Sequence, residues 1–188
     1  MAARRGVTSE QLAEAALAML DEAGRLEAVR PSAVAKRLGI RSQSLYAHLD
    51  GTAGLRRLLA LLCLDELAAL VTAAAVGRSG RDAVEAIVRT QLDYALAHPG
   101  RSEATVHPPG NDLELVASIE RAGGPLQTVL TSLGLDLEDR VHWVRLQLAI
   151  TTGYAALVRD GRLTLLPEPS TTVDHLVEVL LDRLGSVA

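Results

Sequence analysis

Phenylalanine is absent from the 188 residues; one tryptophan and three tyrosines make up the 2% of aromatics, and there is one cysteine, Cys63, and one lysine, Lys36. A single cysteine excludes an internal disulfide, and its place in the run Leu59-Ala60-Leu61-Leu62-Cys63-Leu64 suits a small buried thiol. The scarcity of aromatics beside abundant Leu, Ala and Val points to helices packed through aliphatic side chains and away from a sheet sandwich. Charged residues at 22% exclude a disordered chain, and no apolar run reaches the roughly 20 residues of a membrane span. Arg4 and Arg5 are followed by no apolar signal core, so a cytoplasmic location without a membrane partner is expected. No Gly-rich phosphate loop, nucleophile elbow or His-Glu-x-x-His is present, so nothing indicates an enzyme and no cofactor is expected. Asp139 and His142 stand one helical turn apart, but no second pair joins them, and a solvated ion pair or cap is expected there in place of a metal site.

Arginine supplies almost all positive charge along the whole chain, acidic parts included, so its excess over lysine is not by itself a signal for nucleic acid. The location of charge says more. Residues 1–60 carry nine basic against six acidic side chains, +3, whereas the remainder carries ten against seventeen, −7, for the net −4. A basic head on an acidic body is expected where only the head meets a polyanion.

Thr8 or Ser9 caps a first helix in which Leu12, Ala16, Met19 and Leu20 form an apolar stripe, and Gly24 ends it. Pro31 suits the first position of a short second helix and Gly39 the left-handed residue after it. Ser42 caps a third helix with Leu45 and Leu49 on one face, leaving Ser42, Gln43, Ser44, Tyr46 and His48 outward. Two short helices around Gly39-Ile40-Arg41 behind a longer packing helix form a helix-turn-helix arrangement. Helical patterns continue over 53–76, 81–97, 112–122, 125–133, 137–158 and 170–184, with 101–111 as the longest irregular stretch. The expected fold is all-α, about nine helices: a head, residues 1–52, and a larger helical effector-binding and dimerisation body, residues 53–188.

The stretch from Leu12 to Leu59 resembles the DNA-binding head of TetR-type transcriptional regulators. Its matching residues are Ala15-Ala16-Leu17, Gly24, Val34-Ala35-Lys36-Arg37-Leu38-Gly39-Ile40, Ser44-Leu45-Tyr46-Ala47-His48-Leu49 and Leu55. In the body, Tyr94 to Pro99 and Leu148 to Leu157 resemble the carboxy-terminal domain of a branch marked by Trp, His and Gly. This chain has Leu148 and Thr152 at the first two of those positions and keeps Gly153. In the head, Thr52 stands where the family commonly has a phosphate-contacting Lys, so the hydroxyl is kept and the charge lost.

The resemblance implies a twofold homodimer on a near-palindromic double-stranded DNA operator, with the third helix in the major groove. Gln43 can pair adenine N6 and N7, Arg41 guanine O6 and N7, and Ser42 and Ser44 either base. Tyr46, His48, Arg30, Ser32 and the helix start at Pro31 are candidate phosphate contacts, with Thr52 beside them; their alternative is a solvated polar face. The aliphatic body suits a small, mostly apolar effector, with Tyr94, His107, Trp143, Gln147 and Tyr154 as candidate pocket residues; core packing or a dimer contact is the alternative role for these side chains. Leu146, Ile150, Gly153, Leu157, Leu176, Leu180 and Leu184 are candidates for the dimer seam. The expected function is a repressor released by its effector; the alternative is a dimeric ligand- or partner-binding protein whose head reads DNA weakly.

Overall fold

Thr8 opens the first helix, α1 (Ser9–Ala23), in the computed structural model, which describes residues 7–45, 49–165 and 167–185. The Gln11 N–H donates to the Thr8 hydroxyl at 3.2 Å and the Thr8 N–H donates to the Gln11 side chain at 3.1 Å, satisfying two otherwise orphaned amides. Leu12, Ala16 and Leu20 lie buried along one stripe, and Gly24, at φ +63°, ends the helix in a conformation that costs other residues strain. After a 3₁₀ turn at Leu26–Ala28, Pro31 takes the first position of α2 (Pro31–Arg37), where its missing N–H is no loss. Gly39 at φ +65° and the Ile40 N–H, donating to the Ala35 carbonyl at 3.0 Å, turn the chain into α3 (Ser42–Leu45). Leu12, Leu20, Val34, Leu45 and Leu49 form the centre of the head.

The next helix, α4 (Gly51–Ala75), is by length and composition apolar enough to cross a membrane, against the expectation that no apolar segment reaches that length. Here it is the spine between two cores. Leu55, Leu59 and Cys63 complete the head cluster and Val71 joins the body cluster, so the expected boundary after residue 52 falls at the start of a helix that both cores share. Burial of each such leucine contributes on the order of 1.5–3 kcal/mol.

The body follows as α5 (Gly80–Ala97), α6 (Pro99–Thr105), α7 (Leu113–Ser132), α8 (Leu137–Arg159) and α9 (Pro169–Gly185). Asp112 and Asp136 cap α7 and α8 by accepting from amides of their first turns. Helices α4, α5, α7, α8 and α9 pack around Ile87, Leu92, Leu130, Trp143 and Leu180, while α6 packs against α1 and α4 and adds Ala104 to the head cluster. Among the described residues there are nine α-helices and no strand, the all-α architecture expected.

The number of helices agrees although two segments differ. Residues 101–111, expected as irregular, begin with most of α6, which Pro99 initiates; and the helices expected at 112–122 and 125–133 are one, with Pro125 inside it. A continuous buried stripe of Leu115, Ser118, Ala122, Leu126 and Leu130 carries α7 through Gly123-Gly124-Pro125.

Two seam candidates also require correction. Leu180 and Leu184 are buried inside the protomer, because α9 turns that face onto α5 and α8. Leu146 and Leu157 are exposed at 39% and 42%, Gly153 is exposed with them, and Ile150 and Leu176 are half-buried at the edge of the body core.

Candidate nucleic-acid interface

The third helix presents polar side chains because its one apolar residue is used inward. Leu45 is buried against Val34 and Ala35 of α2 and Leu55 of α4, whereas Arg41, Ser42, Gln43 and Ser44 are all exposed. Gly39 fixes where the exposed run starts, and the Ser44 N–H, donating to the Arg41 carbonyl at 2.9 Å, closes its first turn. Tyr46 and His48, expected as phosphate contacts, lie outside the described residues.

The described cations of the head divide into two groups. Arg37 is held by Glu22 through two bonds at 2.7 and 2.8 Å, Arg25 by Asp160 at 2.7 Å, and Arg57 by Asp112 and Glu114 at the start of α7. The Arg57 guanidinium accordingly holds the Asp112 carboxyl below its usual range, helped by two backbone amides. Arg30, Lys36, Arg41 and Arg56 have no such partner among the described residues. Arg30 and Arg56 line an open concavity of about 640 Å³ together with Arg25, Glu27, Ala28, Pro31, Ser32 and Thr52. Arg30, Ser32 and Thr52 thus come together as expected of one surface, and Thr52 is the second residue of α4, with Asp50 at the cap position. Sequence alone leaves Arg56 and Arg57 equivalent, two cations one turn after Thr52, and only the packing separates them.

Behind this surface, α6 clamps the head to the body. Arg101 makes two bonds to Asp21 of α1, at 2.7 and 2.6 Å, and reaches both Glu66 carboxylate oxygens of α4 at 2.8 Å. The same guanidinium holds the Asp21 carboxyl below its usual range. Tyr94 donates to Glu66 at 3.0 Å and to the Cys63 carbonyl at 3.5 Å; burial pushes its phenol upward and the Cys63 thiol to about 12. A second clamp runs through Glu103, which accepts from the Leu26 amide at 3.0 Å and faces Arg159 at 3.4 Å, and through Asp160, which binds Arg159 and Arg25.

The five candidate pocket residues are not gathered into one site. Tyr94 belongs to the clamp; Trp143 donates to the Leu180 carbonyl at 3.1 Å and Tyr154 to the Pro169 carbonyl, both tying α8 to α9 in the core; His107 is half-buried after α6. Gln147 alone keeps an uncommon position, buried and bonded to Thr151 at 3.0 Å within an apolar surround. Asp139 and His142 form no metal cluster with other residues among those described; His142 faces Glu138 at 3.9 Å on the solvent side.

Residues 84–184 match the family model described as a tetracyclin repressor-like, C-terminal domain. An uncharacterised helix-turn-helix-type transcriptional regulator of Mycobacterium tuberculosis is 34% identical over 138 residues, which is 72% of this chain and 63% of that relative. The chain therefore matches less than two thirds of that relative's length. Among solved structures, a protein of unknown function from Rhodococcus superposes with TM-score 0.72 at 19% identity, covering 98% of this chain and 97% of the other. A TetR variant from Acinetobacter baumannii, solved with minocycline, superposes with TM-score 0.67 at 19% identity and covers 96% of both chains.

Proposed function

The chain belongs to the TetR family of transcriptional regulators, and from that premise we propose that it is a homodimeric repressor that binds a near-palindromic operator and is released by a small, mostly apolar effector. One observation carries the DNA-binding part: Ser42, Gln43 and Ser44 of α3, with Arg41 just before it, are all exposed, and Leu45 is the residue of that helix that is buried. Side chains of these types reach base edges, with Gln43 suited to adenine and Arg41 to guanine, while Arg30, Ser32 and Thr52 supply the phosphate side. Tyr46 and His48 are proposed as further phosphate contacts.

A twofold dimer places two such helices about one helical turn apart on the duplex, roughly 34–36 Å. Leu146, Gly153 and Leu157 on α8 are proposed as its seam, with Ile150 and Leu176 at the edges; Gly153, without side chain, lets the partner helix approach closely. The exposure of the two leucines supports this, since contiguous exposed apolar surface marks interaction sites. The effector reading is supported by the aliphatic body and by the buried Gln147–Thr151 pair, the kind of isolated polar feature that orients a ligand in an apolar site. Tyr94, Trp143 and Tyr154 already use their polar tips, so they enter this reading as walls at most, and His107 as a rim residue.

Repeated selection from a random duplex pool tests the proposal. The full chain is expected to enrich two inverted half-sites, and Gln43→Ala to relax the preference at one base pair in each. Enrichment of no sequence by the wild-type chain would contradict it and leave a dimeric ligand- or partner-binding protein.

A further inference from the structure

Two arginines stand side by side at the start of α4, and the fold treats them oppositely. Arg57 turns to α7, where Asp112 and Glu114 occupy its Nε and Nη2 donors and offset its charge. Arg56 turns to the concavity between the start of α2 and the start of α4, with Arg30, Ser32 and Thr52. Its Nε is shielded from solvent and has no acceptor among the described residues. A buried donor left without an acceptor is uncommon in folded proteins, because desolvation without a replacement bond is unfavourable. The arrangement makes sense when the missing acceptor arrives from outside.

We propose that this concavity seats a backbone phosphate of the bound DNA and that Arg56 is the α4 cation that holds it, with Arg30 as the second charge; this assignment rests on the DNA-binding reading of the head. The charges favour an anion: Arg30 and Arg56 are uncommitted, Arg25 already binds Asp160, and Glu27 is the one opposing carboxylate in the lining. Guanidinium groups meet phosphate oxygens through a planar fork of donors, which suits a site whose acceptor is absent. Ser32 and Thr52 bring hydroxyl donors to the same rim. Thr52 thus supplies a hydroxyl where a charge is lacking, and Arg56, one turn along the same helix, supplies the charge. The lining comes from the 3₁₀ turn before α2 and from the starts of α2 and α4, and α2 packs directly against α3, the helix proposed to read the duplex.

The experiment is a salt titration of full-length protein on two duplexes, the DNA flanking its own gene and a scrambled duplex of equal length, by fluorescence anisotropy. Each phosphate contact contributes about 0.9 to the slope of log affinity against log salt. Arg56→Gln is expected to reduce that slope by about 0.9 on both duplexes and to weaken binding about tenfold at the low-salt end. Arg57→Gln is expected to leave the slope unchanged. Arg56→Lys is expected to keep the slope while lowering affinity, since the charge stays and the fork is lost; it decides the matter if Arg56→Gln fails to fold. Wild-type slope and affinity in the Arg56 variants, with salt-dependent binding by wild type, overturn the assignment and leave the DNA-binding reading standing. Binding of neither duplex by wild type overturns both. Inorganic phosphate raising the melting temperature of wild type but not of Arg56→Gln, with equal DNA binding by the two, makes this a free-anion site and also overturns it.

Discussion

At Gly100, α6 approaches α1 so closely that a Cβ there would stand 2.8 Å from the Leu20 carbonyl oxygen and 3.1 Å from the Gly24 carbonyl carbon. Backbone on both sides cannot give way as a side chain tip would. Gly123, inside α7, has nothing within 4 Å of the same built position. The two glycines therefore predict opposite outcomes: Gly100→Ala should destabilise the protein by about 1–3 kcal/mol through overpacking, whereas Gly123→Ala should stabilise it by about 0.5–1 kcal/mol through lost unfolded-state freedom. Denaturant melts of the two variants check this, and shifts of the same sign would contradict it. Thr8, Gly24, Pro31 and Gly39 were legible in the sequence because each acts on its own few neighbours. Gly100 was not, because its requirement is set by a helix 80 residues earlier. The same holds for the arginines: Arg37 and Arg57 look as available as Arg56 until Glu22 and Asp112, 15 and 55 residues away, are brought beside them.

Among the elements, α6 is the one whose sequence conceals it. Pro99-Gly100-Arg101 reads as a break, and a seven-residue helix has little stability of its own. Its position is fixed from outside, by Arg101 on Asp21 and Glu66 and by Glu103 on the Leu26 amide. The merging of the two segments of α7 has the converse cause: local propensity says stop at Gly123-Gly124-Pro125, and the stripe from Leu115 to Leu130 prevails because burial outweighs one lost backbone bond. Arg101 gives a test at this scale. Because Arg101 lowers the folded-state pKa of Asp21, the pair's stabilisation is complete above the unfolded carboxyl value, about 3.9, and is lost as pH falls through the depressed folded value. Arg101→Met should therefore lower stability at neutral pH and show a shallower decline below about pH 4 than wild type. Melting temperatures across that range measure it; parallel acid limbs would mean that the Asp21 bond contributes nothing.

For the whole molecule, the basic excess of residues 1–60 and the acidic body correspond to a division of labour within one fold. The head core and the body core meet on α4, and the head is held at a set angle by Arg101 of α6 on Asp21 and by Asp160, at the end of α8, on Arg25. In a twofold dimer, that angle determines whether two α3 helices match successive turns of the major groove, so anything that moves α6 is expected to change affinity for DNA. The all-α architecture and the head were legible because helical periodicity and turn chemistry are local. Of the seam candidates, those on α8 stay exposed or half-buried, whereas Leu180 and Leu184 have the same spacing as an outward stripe but lie with Val173, Val177 and Leu181 on the side of α9 that packs against α5 and α8. The candidate pocket residues were the hardest to read, since Tyr94, Trp143 and Tyr154 are amphipathic side chains that satisfy their polar tips within the protomer.

The central claim, that the exposed face of α3 reads base sequence, is tested most directly by anisotropy of the wild-type chain and of Gln43→Ala on the DNA flanking the gene and on its scrambled counterpart at one moderate salt concentration. The account predicts that wild type binds the flanking DNA far more tightly than the scrambled duplex, and that Gln43→Ala loses most of this difference while its scrambled-duplex affinity stays the same. Equal binding of both duplexes by wild type, or an undiminished preference in the variant, would contradict it.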